Sequence, residues 1–246
     1  MIVLSFAIIM ELNQFKEFIL ITIIGKDWIN SIQCNMHLKD QIKELIQQKK
    51  FNELLEMKER PSKLILILMR TLYNEDPDFR FGAAYVLGRI TSKIYSKDPE
   101  RVKEILQKLL WSLNDESGFV CWGAPEAIGE IVKDISELKT IYAQFLISFL
   151  SHPNVIFNNN ALEKGALIGL ARIGKLEDHL LGQLKSLVKM YMDKDDQEMQ
   201  EYAFWCGIMA GLENMDKMIP DHLDTNDFLG IYENGIKIRK PISELL

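Results

Sequence analysis

The sequence is poor in the residues that usually build chemistry onto a scaffold. Its three cysteines, Cys34, Cys121 and Cys206, are odd in number, far apart and never in a C-x-x-C spacing. That excludes a disulfide framework and suits free thiols in a reducing compartment. The four histidines are scattered and, with the cysteines, give no zinc-ligand spacing. P-loop, G-x-G-x-x-G, H-E-x-x-H and G-x-S-x-G motifs are all missing, which removes the common nucleotide-binding, metalloprotease and hydrolase signatures. Basic residues are outnumbered, 29 Lys and Arg against 35 Asp and Glu, for a net charge of −6. A general nucleic-acid binder needs the opposite balance to displace counterions from phosphates, so no nucleic-acid partner is expected.

Long hydrophobic runs are missing too. Residues 1–10 and 18–24 are apolar, but Glu11, Asn13, Gln14, Lys16 and Glu17 divide them. Neither approaches the roughly 20 residues that span a bilayer, so no stable membrane insertion is expected. No basic segment precedes the first, as a secretory signal would require. Residues 1–35 read as a helical extension packed on the end of the fold, or as an extension from an early start codon. A peripheral membrane or partner-binding helix is the sharper alternative. These features point to a soluble, cytoplasmic protein.

What the sequence does have is internal periodicity. Four segments superpose when anchored at Arg80, Cys121, Glu163 and Gln200, spaced by 41, 42 and 37 residues. Three positions after each anchor stands an alanine: Ala83, Ala124, Ala166, Ala203. Two positions after come Gly82, Gly123, Gly165 and Tyr202, and eight after come Gly88, Gly129, Ala171 and Ile208. Offsets 7 and 10 are mostly branched, as in Leu87 and Ile90 or Ile128 and Ile131. Offsets of 3, 7 and 10 share one helical face. Glycine inside a helix costs about 1 kcal/mol relative to alanine, so its recurrence predicts close helix–helix approach.

Each small-residue helix follows another with an apolar stripe, at about 63–73, 99–113, 137–150 and 179–192. Polar turns such as Asn74-Glu-Asp-Pro-Asp78 join the two members. A divergent pair at 38–48 and 51–59 precedes the first repeat. After Leu212 the pattern stops. There, Phe228 to Arg239 places β-branched and aromatic residues around Asn234-Gly235, a strong hairpin signal, with Pro241 closing the second strand. The hairpin is expected to cover the last helix pair, whose apolar face would otherwise be open.

A helix pair of about 40 residues, repeated, is the signature of HEAT and armadillo arrays. Asp76-Pro-Asp-Phe-Arg-Phe-Gly-Ala-Ala-Tyr-Val-Leu-Gly-Arg-Ile90 resembles a HEAT second helix, with its turn Asp and following Arg. Cys121, Glu163 and Gln200 replace that Arg later, so the family's Asp–Arg ladder is broken. Trp111-Ser-Leu-Asn-Asp-Glu-Ser-Gly118 followed by Trp122-Gly-Ala-Pro-Glu-Ala-Ile-Gly-Glu-Ile131 resembles a signature of a prokaryotic HEAT-repeat group of unknown activity, which also tends to end in a hairpin. The resemblance covers about 37–246. It implies an all-α fold, an α-α superhelix (HEAT/armadillo-like solenoid) with a small C-terminal β-hairpin. The expected organisation is an extension at 1–35, repeats at 36–212 and a hairpin tail at 213–246.

The segment 111–131 is the richest in polar groups. Asn114, Asp115 and Glu116 are expected in a turn, and Trp122 on the first turn of a helix. Glu126 and Glu130 would follow on the same face. Like charges four apart want an offset, and Arg89, Lys93 and Arg172 are the available counter-charges. One reading is structural, with the glutamates paired to neighbouring repeats. Another is a ligand or partner site on the concave surface, formed by Asn114, Asp115, Glu116, Trp122, Glu126, Glu130 and Arg89. A catalytic centre, or a carboxylate-only Mg²⁺ or Ca²⁺ site, is a further alternative.

HEAT-like enzymes leave traces that can be sought here. The lysine-hydroxylating di-iron kind needs His-Glu pairs, but the histidines precede Leu38, Pro153, Leu180 and Leu223. HEAT-like DNA glycosylases need a basic groove. The leading expectation is a non-enzymatic binding scaffold, docking a protein or peptide partner, without cofactor or metal. The alternatives are a phycobilin-lyase-like or other tetrapyrrole-handling protein, or a structural subunit of a larger complex.

Overall fold

A computed structural model describes residues 26–113, 120–151 and 160–246, with the backbone alone for 26–35. The chain is predominantly helical, with a small two-stranded antiparallel sheet near its C-terminus. It divides into two compact units, residues 1–44 and 45–246. No helix among the described residues is long and apolar enough to cross a membrane. The described part of the first unit belongs to α1 (Lys26–Gln47), which is longer than the helix expected at 38–48. Leu38 and Ile42 are its buried residues there.

In the second unit, α2 (Phe51–Leu55) is shorter than expected. The cause is Pro61, which holds the preceding Arg60 extended, at φ −64° and ψ 128°, and opens α3 (Pro61–Thr71). Three repeated pairs and a half then follow: α4 (Pro77–Tyr95), α5 (Pro99–Leu113), α6 (Ala124–Val132), α7 (Ser136–Ser151), α8 (Asn160–Ile173), α9 (Asp178–Met192) and α10 (Gln197–Ala210). Their starts are set by local chemistry. Asp76 accepts the Asp78 N–H at 3.0 Å with Pro77 behind it, and Asp196 accepts the Met199 N–H at 3.0 Å. Gly211, at φ 87°, ends α10 in the left-handed conformation that a side chain would resist.

The odd members α3, α5, α7 and α9 each pack on the helix that follows, and the even members pack on one another in the order α4, α6, α8, α10. Here the small residues act. A Cβ on Gly88 would stand 2.5 Å from the Glu130 carbonyl oxygen, and one on Gly129 would collide with the Gly169 backbone. Between the layers lie Leu68, Leu72, Leu87, Leu106, Ile128, Leu146, Leu170 and Leu184, all fully buried. Cys121 and Cys206 are free, and burial pushes both thiols up to about 12, so they serve as packing.

A 3-10 turn (Met215–Lys217) leads towards β1 (Phe228–Glu233) and β2 (Ile236–Pro241), with a short α11 (Ile242–Leu245) after them. Glu233 pairs with Ile236 across Asn234 and Gly235, whose φ values of 50° and 83° make the tight turn that suits twisted strands. The hairpin does more than cover the last pair. It reaches from α10, where Glu201 accepts from the Gly230 N–H at 3.5 Å, to Phe81 and Tyr85 on α4. The even-helix face therefore carries the chain's own strand ribbon.

Candidate functional site

The anchor positions do different work in different pairs. Arg80 reaches back to its own turn, donating from one guanidinium nitrogen to the carbonyls of Asn74 and Glu75 at 3.0 and 2.8 Å. Gln200 does the same, donating to the Lys194 carbonyl at 2.8 Å. Glu163, buried, instead takes the Lys194 ammonium from the next pair. The broken Asp–Arg ladder thus becomes a set of separate turn clamps.

A cavity of about 380 Å³ opens at the N-terminal ends of the even helices, where the hairpin crosses them. Helix α4 contributes Arg80 and Phe81, α8 contributes Lys164, Gly165 and Ile168, and α10 contributes Glu198 and Tyr202. Trp122 and Glu126 line the α6 side, and Tyr232 of β1 joins the lining. The Tyr232 ring sits 4.3 Å from that of Phe81, and its hydroxyl is 3.4 Å from an Asp78 oxygen. Burial pushes the Tyr202 and Tyr232 phenols upward, so both stay protonated.

The expected stripe of Trp122, Glu126 and Glu130 is altered. Helix α6 begins at Ala124, so Trp122 lies in the turn before it rather than in its first turn. Pro125 is the reason: its ring is tolerated only in the opening turn, because deeper in a helix it meets the carbonyl four residues back. Trp122 still borders the cavity, with the Arg80 guanidinium 5.9 Å from its ring centroid.

Glu126 and Glu130 do share a helix face, but their surroundings differ. Glu130 is completely buried, held by Lys133 at 2.6 Å and by the Arg172 Nε–H. Arg172 also donates to the Tyr232 carbonyl at 3.1 Å, fastening the hairpin to α6 through α8. Of the three counter-charges anticipated, Arg172 takes this role. Arg89, half-exposed, lies 3.7 Å from Asp134 and does not border the cavity.

Glu126 is 4% exposed and borders the cavity, yet its Oε2 has no hydrogen-bond partner. Desolvation by burial pushes this carboxyl up to about 7, against the opposing pull of the Arg80 guanidinium. Arg80 is itself buried and its Nε–H is likewise unpartnered. On the far side, Glu198 is fully engaged. Partial burial works against its charge, but hydrogen bonds from Lys237, Lys164 and Tyr202 hold it at about 2. Lys164 is shared between Asp196 and Glu198 at 3.0 and 2.9 Å.

Asn114, Asp115 and Glu116 lie outside the described residues. Among the described residues, no group of three or more His, Cys, Asp or Glu could hold a metal ion. Reading the sequence missed Arg80, Phe81, Lys164, Gly165, Ile168, Glu198, Tyr202 and Tyr232 as cavity residues. A signal for part of them was present. Phe81, Trp122 and Lys164 all stand one position after their anchors, and Glu126 and Ile168 stand five after. That second stripe runs beside the small-residue face.

Compared with known proteins, the chain is similar to an uncharacterised protein of Archaeoglobus fulgidus, 28% identical over 188 residues, which cover 76% of this chain and 93% of that protein. No family model matches, and no solved structure matches.

Proposed function

We propose that the chain is a non-catalytic binding module of the HEAT-repeat kind, an α-α superhelix of the cytoplasm, whose ligand occupies the cavity at the ends of α4, α6, α8 and α10. One observation carries this reading: Glu126 borders the cavity with its Oε2 buried and without a hydrogen-bond partner. A carboxylate oxygen taken out of water without a hydrogen-bond donor is costly to keep. A ligand that supplies the missing partner offsets the cost.

The hairpin bears on the kind of ligand. A long peptide laid along the even helices would meet β1 and β2, so the expected protein or peptide partner narrows to a small molecule. The volume of about 380 Å³ falls within the range of roughly 300–1,000 Å³ usual for small-molecule sites. Binding rather than catalysis is favoured because the cavity gives this carboxyl no activated nucleophile: the Lys164 ammonium is tied to Asp196 and Glu198, and the Tyr202 and Tyr232 phenols stay protonated. The nearby Cys121 thiol is pushed up to about 12 and cannot serve.

Native mass spectrometry of the protein purified from its own cells tests the reading. A bound small mass is expected on the wild type and lost from the double variant Trp122→Ala, Glu126→Ala. Identical spectra for a folded variant and wild type would remove the site assignment.

A further inference from the structure

The two orphaned atoms of the cavity wall are of opposite kinds. Glu126 Oε2 is an acceptor without a donor, and Arg80 Nε–H is a donor without an acceptor. Both side chains are buried and both border the same space. They do not pair with each other, although the Arg80 charge is felt at Glu126. Four aromatic side chains, Phe81, Trp122, Tyr202 and Tyr232, line the same cavity.

From this we infer that the ligand is a planar heterocycle with adjacent ring N–H and C=O groups, the lactam edge of a pyrimidine or purine base. Its N–H donates to Glu126 Oε2 and its carbonyl accepts from Arg80 Nε. The inference rests on the cavity reading above and specifies its ligand.

Charge argues against simpler occupants. A cation would satisfy Glu126 and leave Arg80 facing a like charge. An anion would satisfy Arg80 but be repelled by Glu126 wherever that carboxyl is ionised, above about pH 7. A neutral lactam meets both atoms and leaves the charges of Arg80 and Glu126 balanced, which matters where water is excluded. The flat ring also uses the aromatic walls, since offset or edge contacts between rings are favourable at centroid separations of about 4.5–7 Å. An aliphatic amide would satisfy the polar pair and leave those faces bare.

Isothermal titration of the dialysed, full-length protein tests the inference with five probes: uracil, hypoxanthine, 1,3-dimethyluracil, benzylamine and benzoate. Uracil or hypoxanthine is expected to bind, and 1,3-dimethyluracil, which has lost its ring N–H, at least about tenfold more weakly. Glu126→Leu, checked for folding by circular dichroism, is expected to abolish that difference. Because leucine also removes the charge facing the buried Arg80, Glu126→Gln, of the same volume, is titrated beside it and is expected to narrow the difference. Equal binding of uracil and its dimethyl form, or tighter binding of benzylamine or benzoate, overturns the lactam assignment. If no probe binds but native protein carries a mass that Trp122→Ala removes, the lactam inference falls and the cavity reading stands. If no probe binds and no mass is carried, both fall.

Discussion

The two ends of α6 place the same side chain in opposite situations. At Glu130 the carboxylate is enclosed by Lys133 and Arg172, and through Arg172 it holds the hairpin. At Glu126, one turn earlier, the carboxyl is almost as buried but faces a cavity with Oε2 unpartnered. The neighbouring glycines repeat the contrast. A Cβ on Gly129 would strike the backbone of Gly169, whereas the nearest atoms to one on Gly165 belong to the Glu126 carboxyl, at 2.6 Å. The Glu130 end is built to stay closed. The Glu126 end keeps polar groups and space in reserve, which a site needs and a core does not.

The largest expected effect falls at the closed end. Glu130→Ala leaves Arg172 and Lys133 without their shared carboxylate, and breaking a buried pair costs about 3–5 kcal/mol. Urea unfolding should show that loss, together with faster proteolysis near the hairpin. A loss below about 1 kcal/mol would mean that Glu130 does not hold α6 to α8. Gly129→Ala comes next, at about 1–3 kcal/mol, because backbone must move away from backbone. Gly165→Ala should cost well under that, since a side chain can swing into the cavity. Equal costs for the two alanines would erase the difference between the ends.

The titration of Glu126 gives a pH-dependent comparison. Its folded-state pKa of about 7 lies above the ordinary glutamate value of 4.5. Between those values the folded state holds a proton that the unfolded state has released, so stability falls as pH rises through that window. Below pH 4.5 both states are protonated and nothing is lost. Wild type and Glu126→Gln should therefore melt together near pH 4 and diverge by pH 8, the variant being the more stable by roughly 3 kcal/mol or less. A constant difference across the range would show that Glu126 is not the group responsible. Arg89→Ala should do least, about 0.5 kcal/mol or less, because its ion pair with Asp134 is half-exposed.

Much of this architecture is legible along the chain because it is local. The 3.6-residue stripes outline the odd helices, and Asp-Pro and Asn-Gly dipeptides mark the start of α4 and the hairpin turn. The offset-eight glycines announce close approach, and Gly88 and Gly129 meet backbone as their recurrence implies. The charged stripe of the second pair draws attention to Glu126 and Glu130, and Arg172 could be named as a counter-charge from sequence alone. Periodicity could not tell which glutamate Arg172 would take, because both lie on the same helix face. Nor could it place Trp122, whose position depends on how Pro125 limits the helix start.

The sequence by itself determined the helices, their small-residue faces, the hairpin and the shortage of catalytic motifs, since each depends on residues within a turn or two. Tertiary structure decided where the hairpin lies. Tyr232 reaches Asp78 across 154 residues of chain, and no local preference encodes a contact at that separation. That placement lays the ribbon on the even helices and brings Tyr232 against Phe81 and Tyr202 in the cavity lining. Whether a buried glutamate is a tie or a site depends on which charges the fold delivers to it: Glu130 receives Arg172 from α8 beside its own neighbour Lys133, whereas Glu126 feels only the more distant Arg80 of α4.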